Sequence, residues 1–187
     1  MTGVQTCALP ILTQKGFEAT GLDEITKNAG LPKGSFYAYF GSKEIFGLAV
    51  IDAYSDFFTK MLDRSYLNEA RTPLERIGDF IIEARSNMAR HDYNRGCLIG
   101  NLGQEINTLP DVFRQRLSDV FYKWQKKTET CLLAAQARGE IPPYINCTAK
   151  AELFWIGWEG AVLRAKLERR ARPLDVFRLD FETGLKK

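Results

Sequence analysis

The fold is decided by residues 20–43, which read TGLDEITKNAGLPKGSFYAYFGSK. The first part predicts a short helix, because apolar residues recur at the spacing of one helical face. These residues are Leu22, Ile25 and Ala29. Gly30 and Pro32 predict a tight turn into a second helix over 33–40, which Gly41 ends. Two short helices joined by such a glycine-containing turn are typical of a helix-turn-helix.

Capping residues predict how this motif joins its neighbours. Gly16 is expected just after the end of a preceding helix. Thr20 is expected to cap the next helix, with Asp23 at its third position. Ser42 is expected to cap a long amphipathic helix that runs from Lys43 to about residue 63. The sequence therefore predicts consecutive helices on both sides of the motif.

The second helix of a helix-turn-helix enters the major groove of DNA with its N-terminal residues forward. In this chain Phe36 and Phe40 lie four residues apart and are expected to face the protein interior. Tyrosine hydroxyls and lysine ammonium groups around this helix are suited to phosphate contacts. The candidate DNA-binding residues are Thr20, Lys33, Gly34, Ser35, Tyr37, Tyr39 and Lys43.

The charge of the chain gives this interpretation little support. The formal net charge is +3, and residues 12–64 carry six lysine and arginine side chains against seven acids. Any DNA footprint must therefore depend on a few placed residues, and not on a broad basic surface.

The pattern that runs from Gly16-Phe17 through Ala29-Gly30-Leu31-Pro32 to Ser42-Lys43 resembles the DNA-binding signature of the TetR family. The resemblance implies an all-α protein with a three-helix DNA-binding domain over 12–47 and a ligand-sensing, dimerising domain over 48–187. It further implies a homodimeric repressor that binds double-stranded DNA at a palindromic operator and is released by a small-molecule effector.

Residues 1–11 are expected not to belong to the natural protein. Residues 2–11 correspond to the translation of a widely used sequencing-adaptor oligonucleotide, ACT GGA GTT CAG ACG TGT GCT CTT CCG ATC, and a preceding GTG start codon supplies Met1. The segment shows no helical period, and Pro10 is expected to break a helix there. We therefore expect a leader joined to a shortened first helix.

The rest of the chain predicts further helices and no strands, since no alternating pattern occurs. Thr72-Pro73-Leu-Glu75 forms a capping box with proline at the first helical position. The expected helices span residues 73–89, 97–107, 110–137, 148–170 and 174–185.

The helix over 148–170 is apolar nearly all round and is expected to be buried on two sides. One face is expected to form a dimer seam together with the last helix, over 174–185, and its glycines permit close approach. This face comprises Ala149, Leu153, Ile156, Gly157, Gly160, Leu163 or Arg164, and Leu167. Trp155, Trp158, Val162 and Lys166 point elsewhere. A core helix of a monomer is the alternative.

The segment 95–105 contains three glycines, which are unusual in a helix and suggest close packing or a ligand against the backbone. This segment and residues 158–167 resemble a TetR subgroup that senses electrophiles and small unsaturated acids, with members such as the repressor of N-ethylmaleimide reductase and the acrylate-utilisation regulator. From the residues alone, Cys97 is expected to be a buried, inert cysteine. The resemblance implies instead that Cys97 is reactive and that Lys166 captures its sulfenic acid in a reversible sulfur–nitrogen link. The candidate effector residues are Cys97, Lys166, Trp155, Trp158 and Asn101.

Composition narrows the remaining possibilities. Four scattered cysteines and one histidine argue against a metal site and favour reduced thiols in the cytoplasm. No apolar run is long enough for a membrane span, and no motif indicates a cofactor or an enzyme. Two alternatives remain open: a helical small-molecule binding protein or enzyme without DNA binding, and a sensing body whose shortened first helix no longer supports DNA binding.

Overall fold

The computed structural model describes residues 3–186, and within them the chain is all-α, as predicted. Nine helices follow one another in this part of the chain, with no strand among them. Their bounds are α1 Gly3–Lys15, α2 Leu22–Asn28, α3 Lys33–Phe40, α4 Lys43–Tyr66, α5 Pro73–Ala89, α6 Leu98–Gln104, α7 Asp111–Ala137, α8 Cys147–Glu168 and α9 Arg172–Gly184.

The helices fall into two compact units. The first unit takes residues 3–57 and 95–120 of the described chain, and the second takes 58–94 and 121–186. Helices α4 and α7 therefore each begin in the first unit and end in the second. The first unit thus includes α6 as well as the helix-turn-helix, and the domain boundary expected after residue 47 stays a prediction.

The expectation that the N-terminal leader is not helical is wrong. Helix α1 spans Gly3–Lys15 and contains Pro10. Ala8 and Leu12, four residues apart, are fully buried, so tertiary packing outweighs the cost of the proline. The amide of Gln5 also donates to the carbonyl of Ala49, 3.2 Å away. Residues 1 and 2 of the expected leader lie outside the described residues, and its adaptor origin stays a prediction.

The helix-turn-helix forms with the predicted bounds for α3. Gly16, Gly30 and Gly41 all have positive φ, which glycine adopts without steric cost. The Ser42 hydroxyl accepts the backbone N–H of Ile45 and caps α4, as predicted. The predicted cap at Thr20 is wrong: Gly21 precedes α2, and no side chain caps that helix.

In the second unit, α5 begins with the predicted capping box. Thr72 accepts the N–H of Glu75, whose carboxylate in turn accepts the N–H of Thr72. Helix α8 packs on α9 through Phe154, which contacts the rings of Phe177 and Phe181.

Aromatic side chains fill the core of the second unit. Phe58, Phe80, Trp124, Trp155 and Trp158 are buried, and their ring centroids lie between 4.4 and 6.1 Å apart in the contacting pairs. Offset and edge-to-face ring pairs of this kind add to the free energy gained by burial.

Candidate functional site

Helix α3 presents a polar and aromatic surface to solvent. Phe36 and Phe40 are buried beneath it, as predicted, and both rings pack against Phe46 of α4. The exposed side of the helix carries Tyr37 and Tyr39, the latter 70% exposed. Lys33, Gly34 and Ser35 are exposed at its N-terminal end. Six of the seven candidate DNA-binding residues therefore lie on α3 or at the start of α4.

The two lysines of this surface already make contacts within the protein. Lys33 forms an ion pair with Asp23 of α2, and both side chains are largely exposed. The Lys43 ammonium donates to the carbonyl oxygen of Phe17 at 3.0 Å and lies 4.6 Å from the centroid of the Phe17 ring. Because an ammonium group has three donors, this bond leaves Lys43 able to contact a phosphate as well.

Thr20 differs from the other candidates because it is fully buried. Its hydroxyl donates to the carbonyl of Gly16 at 2.6 Å. The side chain thus stabilises the turn that leads into α2, and it presents no donor at the surface.

Cys97 lies at the N-terminal end of α6 and is 5% exposed. Helix α6 spans Leu98–Gln104, shorter than the expected helix over 97–107. The neighbouring Gly96 N–H donates to the carbonyl of Thr13 in α1 at 3.3 Å. The Asn101 side-chain amide donates to the same carbonyl at 2.9 Å. Two groups of this segment are therefore bonded to the C-terminal end of α1.

Glu105 was not among the site residues predicted from the sequence, but its side chain bonds to two backbone groups of the first unit. Its carboxylate accepts the backbone N–H of Phe17 at 2.9 Å and that of Glu18 at 2.9 Å. No local signal could have indicated this contact, since the partners are 88 and 87 residues apart in sequence. Of the glycines in this segment, Gly103 has open space around it, so close packing does not explain that position.

Trp155 and Trp158 are buried in the second unit within its aromatic core. The indole N–H of Trp155 donates to the hydroxyl of Thr128 at 3.0 Å, and the hydroxyls of Tyr66 and Thr128 lie 3.2 Å apart. Burial raises the pKa of Tyr66 well above its ordinary value. This polar group inside an aromatic cluster stays neutral at physiological pH.

The other cysteines differ in exposure and acidity. Cys7 of α1 is exposed. Burial raises the pKa of Cys131 to about 12, and the Cys131 thiol donates to the carbonyl of Pro73 at 3.2 Å. Burial also raises the pKa of Cys147. Because the thiolate is the reactive form, Cys131 and Cys147 are poor nucleophiles at neutral pH.

The outward face of α8 is apolar and exposed in the single chain. Leu153, Ile156, Leu163 and Leu167 share this face, and Ile156 is 64% exposed. Trp155, Trp158 and Val162 point to the core, as predicted. Gly157 was expected to allow close approach of a second subunit. Instead it faces α9 of the same chain, where a Cβ would lie 2.7 Å from the Phe177 ring. The glycine makes room for α9 within the chain.

Lys166 is half-buried in the second unit, whereas Cys97 belongs to the first. Their pairing stays a prediction from the sequence. Among residues 3–186, no three histidine, cysteine or acidic side chains are grouped as metal ligands. No helix in that range is long and apolar enough to cross a membrane.

A helix-turn-helix with an exposed recognition face, followed by a helical body, defines a DNA-binding transcriptional regulator. The family model for bacterial regulatory proteins of the tetR family matches residues 8–49, and that for the tetracyclin repressor-like C-terminal domain matches 73–181. The chain belongs to the TetR family of transcriptional repressors.

Individual relatives agree with this assignment. The chain is 51% identical to the transcriptional regulator AcuR of Cereibacter sphaeroides over 170 residues, which cover 91% of this chain and 78% of AcuR. It is 30% identical to the transcriptional repressor NemR of Escherichia coli K12, over 93% of this chain and 85% of NemR. A crystal structure of a TetR regulatory protein from Rhodobacter sphaeroides superimposes with a TM-score of 0.95 at 48% identity, over 97% of this chain and 96% of that one. The relatives are transcriptional regulators, which confirms that the chain is not an enzyme.

Proposed function

We propose that this chain is a homodimeric repressor that binds a palindromic operator and releases it when an electrophile or small unsaturated effector acts at Cys97. The observation that carries the proposal is the position of Cys97. It starts α6, and this segment is hydrogen-bonded to the end of α1 through Gly96 and Asn101. A chemical change at Cys97 therefore acts directly on groups that hold the DNA-binding helices.

The exposed side of α3 supports the DNA contacts. Ser35, Tyr37 and Tyr39 carry hydroxyls suited to phosphates and base edges, and Lys33 adds a positive charge. Since the charge of the region is balanced, binding depends on these placed groups.

Dimerisation is supported by the exposed apolar face of α8, which Val176 and Leu179 of α9 extend. An apolar surface of this kind marks an interaction site. When two such faces pack about a two-fold axis, the α3 helices of the two subunits are related by the same symmetry. A palindromic DNA site has the matching symmetry.

The release step requires a thiolate at Cys97. The thiolate sulfur adds to the activated C=C bond of the electrophile, a C–S bond forms, and the adjacent carbon takes a proton from water. The added group is large compared with the space around a side chain that is 5% exposed. Alkylation is therefore expected to displace the start of α6.

Two relatives support electrophile sensing, since the chain resembles the subgroup that contains NemR and AcuR. Burial raises the pKa values of Cys131 and Cys147, which makes these two thiols slow to react with an electrophile. Cys7 is the exposed competitor and must be removed before reactivity is compared.

The test uses the full chain carrying Cys7→Ser, and a DNA duplex that this protein selects from a random-sequence pool. Brief substoichiometric N-ethylmaleimide should label Cys97 before Cys131 and Cys147 by mass spectrometry, and operator release should follow the labelled fraction. The matched Cys7→Ser, Cys97→Ser protein should bind the duplex and stay bound after the same treatment. Earlier labelling of Cys131 or Cys147, or equal release of the Cys97→Ser protein, would contradict a role for Cys97.

A further inference from the structure

The turn between α1 and α2 is held by side chains from two other helices. Residues 13–18, here called the α1–α2 corner, leave backbone groups that α1 cannot satisfy itself. The Thr13 carbonyl accepts from Asn101 at 2.9 Å and from the Gly96 N–H at 3.3 Å. The corner therefore depends on the α6 segment for its hydrogen bonds.

Phe17 is held on both sides of its backbone. Its N–H donates to the Glu105 carboxylate at 2.9 Å, and the next N–H, from Glu18, donates to the same oxygen at 2.9 Å. Its carbonyl accepts from the Lys43 ammonium at 3.0 Å. Hydrogen bonds with an ionised partner are roughly twice as strong as neutral ones. Phe17 is 3% exposed, so an N–H left without Glu105 has little water to replace it.

These contacts lie on both sides, in sequence, of α3, the helix proposed to read DNA. Helices α2 and α3 lie in sequence between Phe17 and Lys43, and the Lys43 side chain returns to Phe17. The hydrogen bond from Lys43 to Phe17 thus joins the two ends of the helix-turn-helix. The bond from Phe17 to Glu105 then links the helix-turn-helix to the end of α6.

Cys97, which precedes α6, lies on the same side of this segment as the two side chains that hold the corner. Cys97, Asn101 and Glu105 are spaced four apart, and backbone hydrogen bonds join them at 2.9 and 3.3 Å. Gly16 makes the approach of Glu105 possible, because a Cβ at Gly16 would clash with the Glu105 carboxylate.

We propose that Glu105 is a positioning residue that couples α6 to the recognition helix by holding the α1–α2 corner. When its bonds to Phe17 and Glu18 are lost, the helix-turn-helix is no longer linked to α6 through Glu105, and the affinity for DNA falls. This inference rests on the proposed function only in one respect, namely that a reaction at Cys97 starts the release of DNA. The contacts of Glu105 with Phe17 and Glu18 are present in the protein without an effector.

The test compares Glu105→Ala and Glu105→Gln with Gln104→Ala, an exposed neighbour on α6. Amide hydrogen exchange of Phe17 and Glu18 is measured by NMR in the full chain. Glu105→Ala should speed both amides by at least about tenfold, because bonds to a charged acceptor each contribute roughly that factor or more. Glu105→Gln should lie between, since its amide oxygen still accepts, and Gln104→Ala should match the wild type. Unchanged amides of the second unit, such as that of Trp155, show that each variant is folded.

Function is measured with the selected duplex. Glu105→Ala should bind it at least about tenfold more weakly, by the same bond energies. Alkylation of Cys97 should then weaken binding much less than in the wild type, because the coupling is already broken. Protected amides in Glu105→Ala, or fast amides with unchanged DNA affinity, would overturn the proposal. If alkylation leaves wild-type binding intact while both Glu105→Ala results hold, the proposed function fails and the role of Glu105 stands.

Discussion

The α1–α2 corner of the first unit and the aromatic core of the second are stabilised in different ways. At the corner, half-buried side chains hydrogen-bond to backbone groups: Asn101 and Lys43 each donate one such bond, and the Glu105 carboxylate accepts from two N–H groups. In the core, Trp124 and Trp155 are almost fully buried among other rings.

The difference indicates which region can change state. Each of these hydrogen bonds contributes only about 0.5–3 kcal/mol, so a small local change can break it. A close-packed aromatic core cannot lose one contact without leaving a cavity. The first unit is therefore suited to switching, and the second to holding a fixed dimerising body.

The largest effect is expected on the outward face of the second unit. Ile156→Glu should convert the dimer to folded monomers, because two uncompensated charges would be buried in the interface at about 3 kcal/mol each. Sedimentation velocity reports the mass, and circular dichroism reports the helix content. Leu67→Glu, at another exposed leucine, should remain dimeric. A dimer of undiminished stability would show that this face of α8 is not the interface.

Truncation in the aromatic core is expected to have the next largest effect. Trp155→Ala should lower the free energy of unfolding by about 3–5 kcal/mol, through lost burial and a cavity. Urea denaturation measures this loss. Leu133→Ala, exposed on α7, should change the value by less than about 0.5 kcal/mol. A loss below about 1 kcal/mol for Trp155→Ala would mean that the core repacks easily.

High pH should weaken the second unit through Cys131 and Tyr66. Burial raises the pKa of Cys131 from 9.0 to about 12 and raises that of Tyr66, so the folded state keeps protons that the unfolded state loses. Stability is thus complete below pH 9. The contribution of Cys131 is lost between pH 9 and about 12, and that of Tyr66 starts to fall only above pH 10, each by up to about 1.4 kcal/mol per pH unit. Denaturation at several pH values should give a shallower fall for Cys131→Ala. The same slope in that variant would exclude the thiol as a cause.

The smallest expected effect separates Thr20 from Ser35. Thr20→Val removes the bond to the Gly16 carbonyl and should cost about 1 kcal/mol of stability without a specific loss of DNA contacts. Ser35→Ala, at an exposed site on α3, should leave stability unchanged and weaken DNA binding. Thermal unfolding and DNA titrations on both variants make the comparison. The reverse pattern would place Thr20 at the DNA.

Local signals predicted most of the fold. Glycines with positive φ, the Ser42 cap and the Thr72 capping box each act within a few residues, so the sequence shows them directly. Helix α1 was missed because its stability comes from burial of Ala8 and Leu12, which outweighs the local effect of Pro10.

The site was predicted less completely than the fold. The exposed side of α3 follows from helical periodicity and was predicted. The Glu105 contact joins residues 88 apart, and the role of Gly157 depends on Phe177 of another helix. Neither contact has a signature in a single sequence, because both arise only when distant segments pack.

Amide hydrogen exchange on the Cys7→Ser chain, before and after alkylation of Cys97, tests the central claim most directly. The account predicts that alkylation speeds exchange at Phe17 and Glu18 while the amides around Trp155 and Thr128 keep their protection. DNA affinity should fall with the labelled fraction. No change at Phe17 and Glu18, or an equal loss of protection in both units, would contradict it.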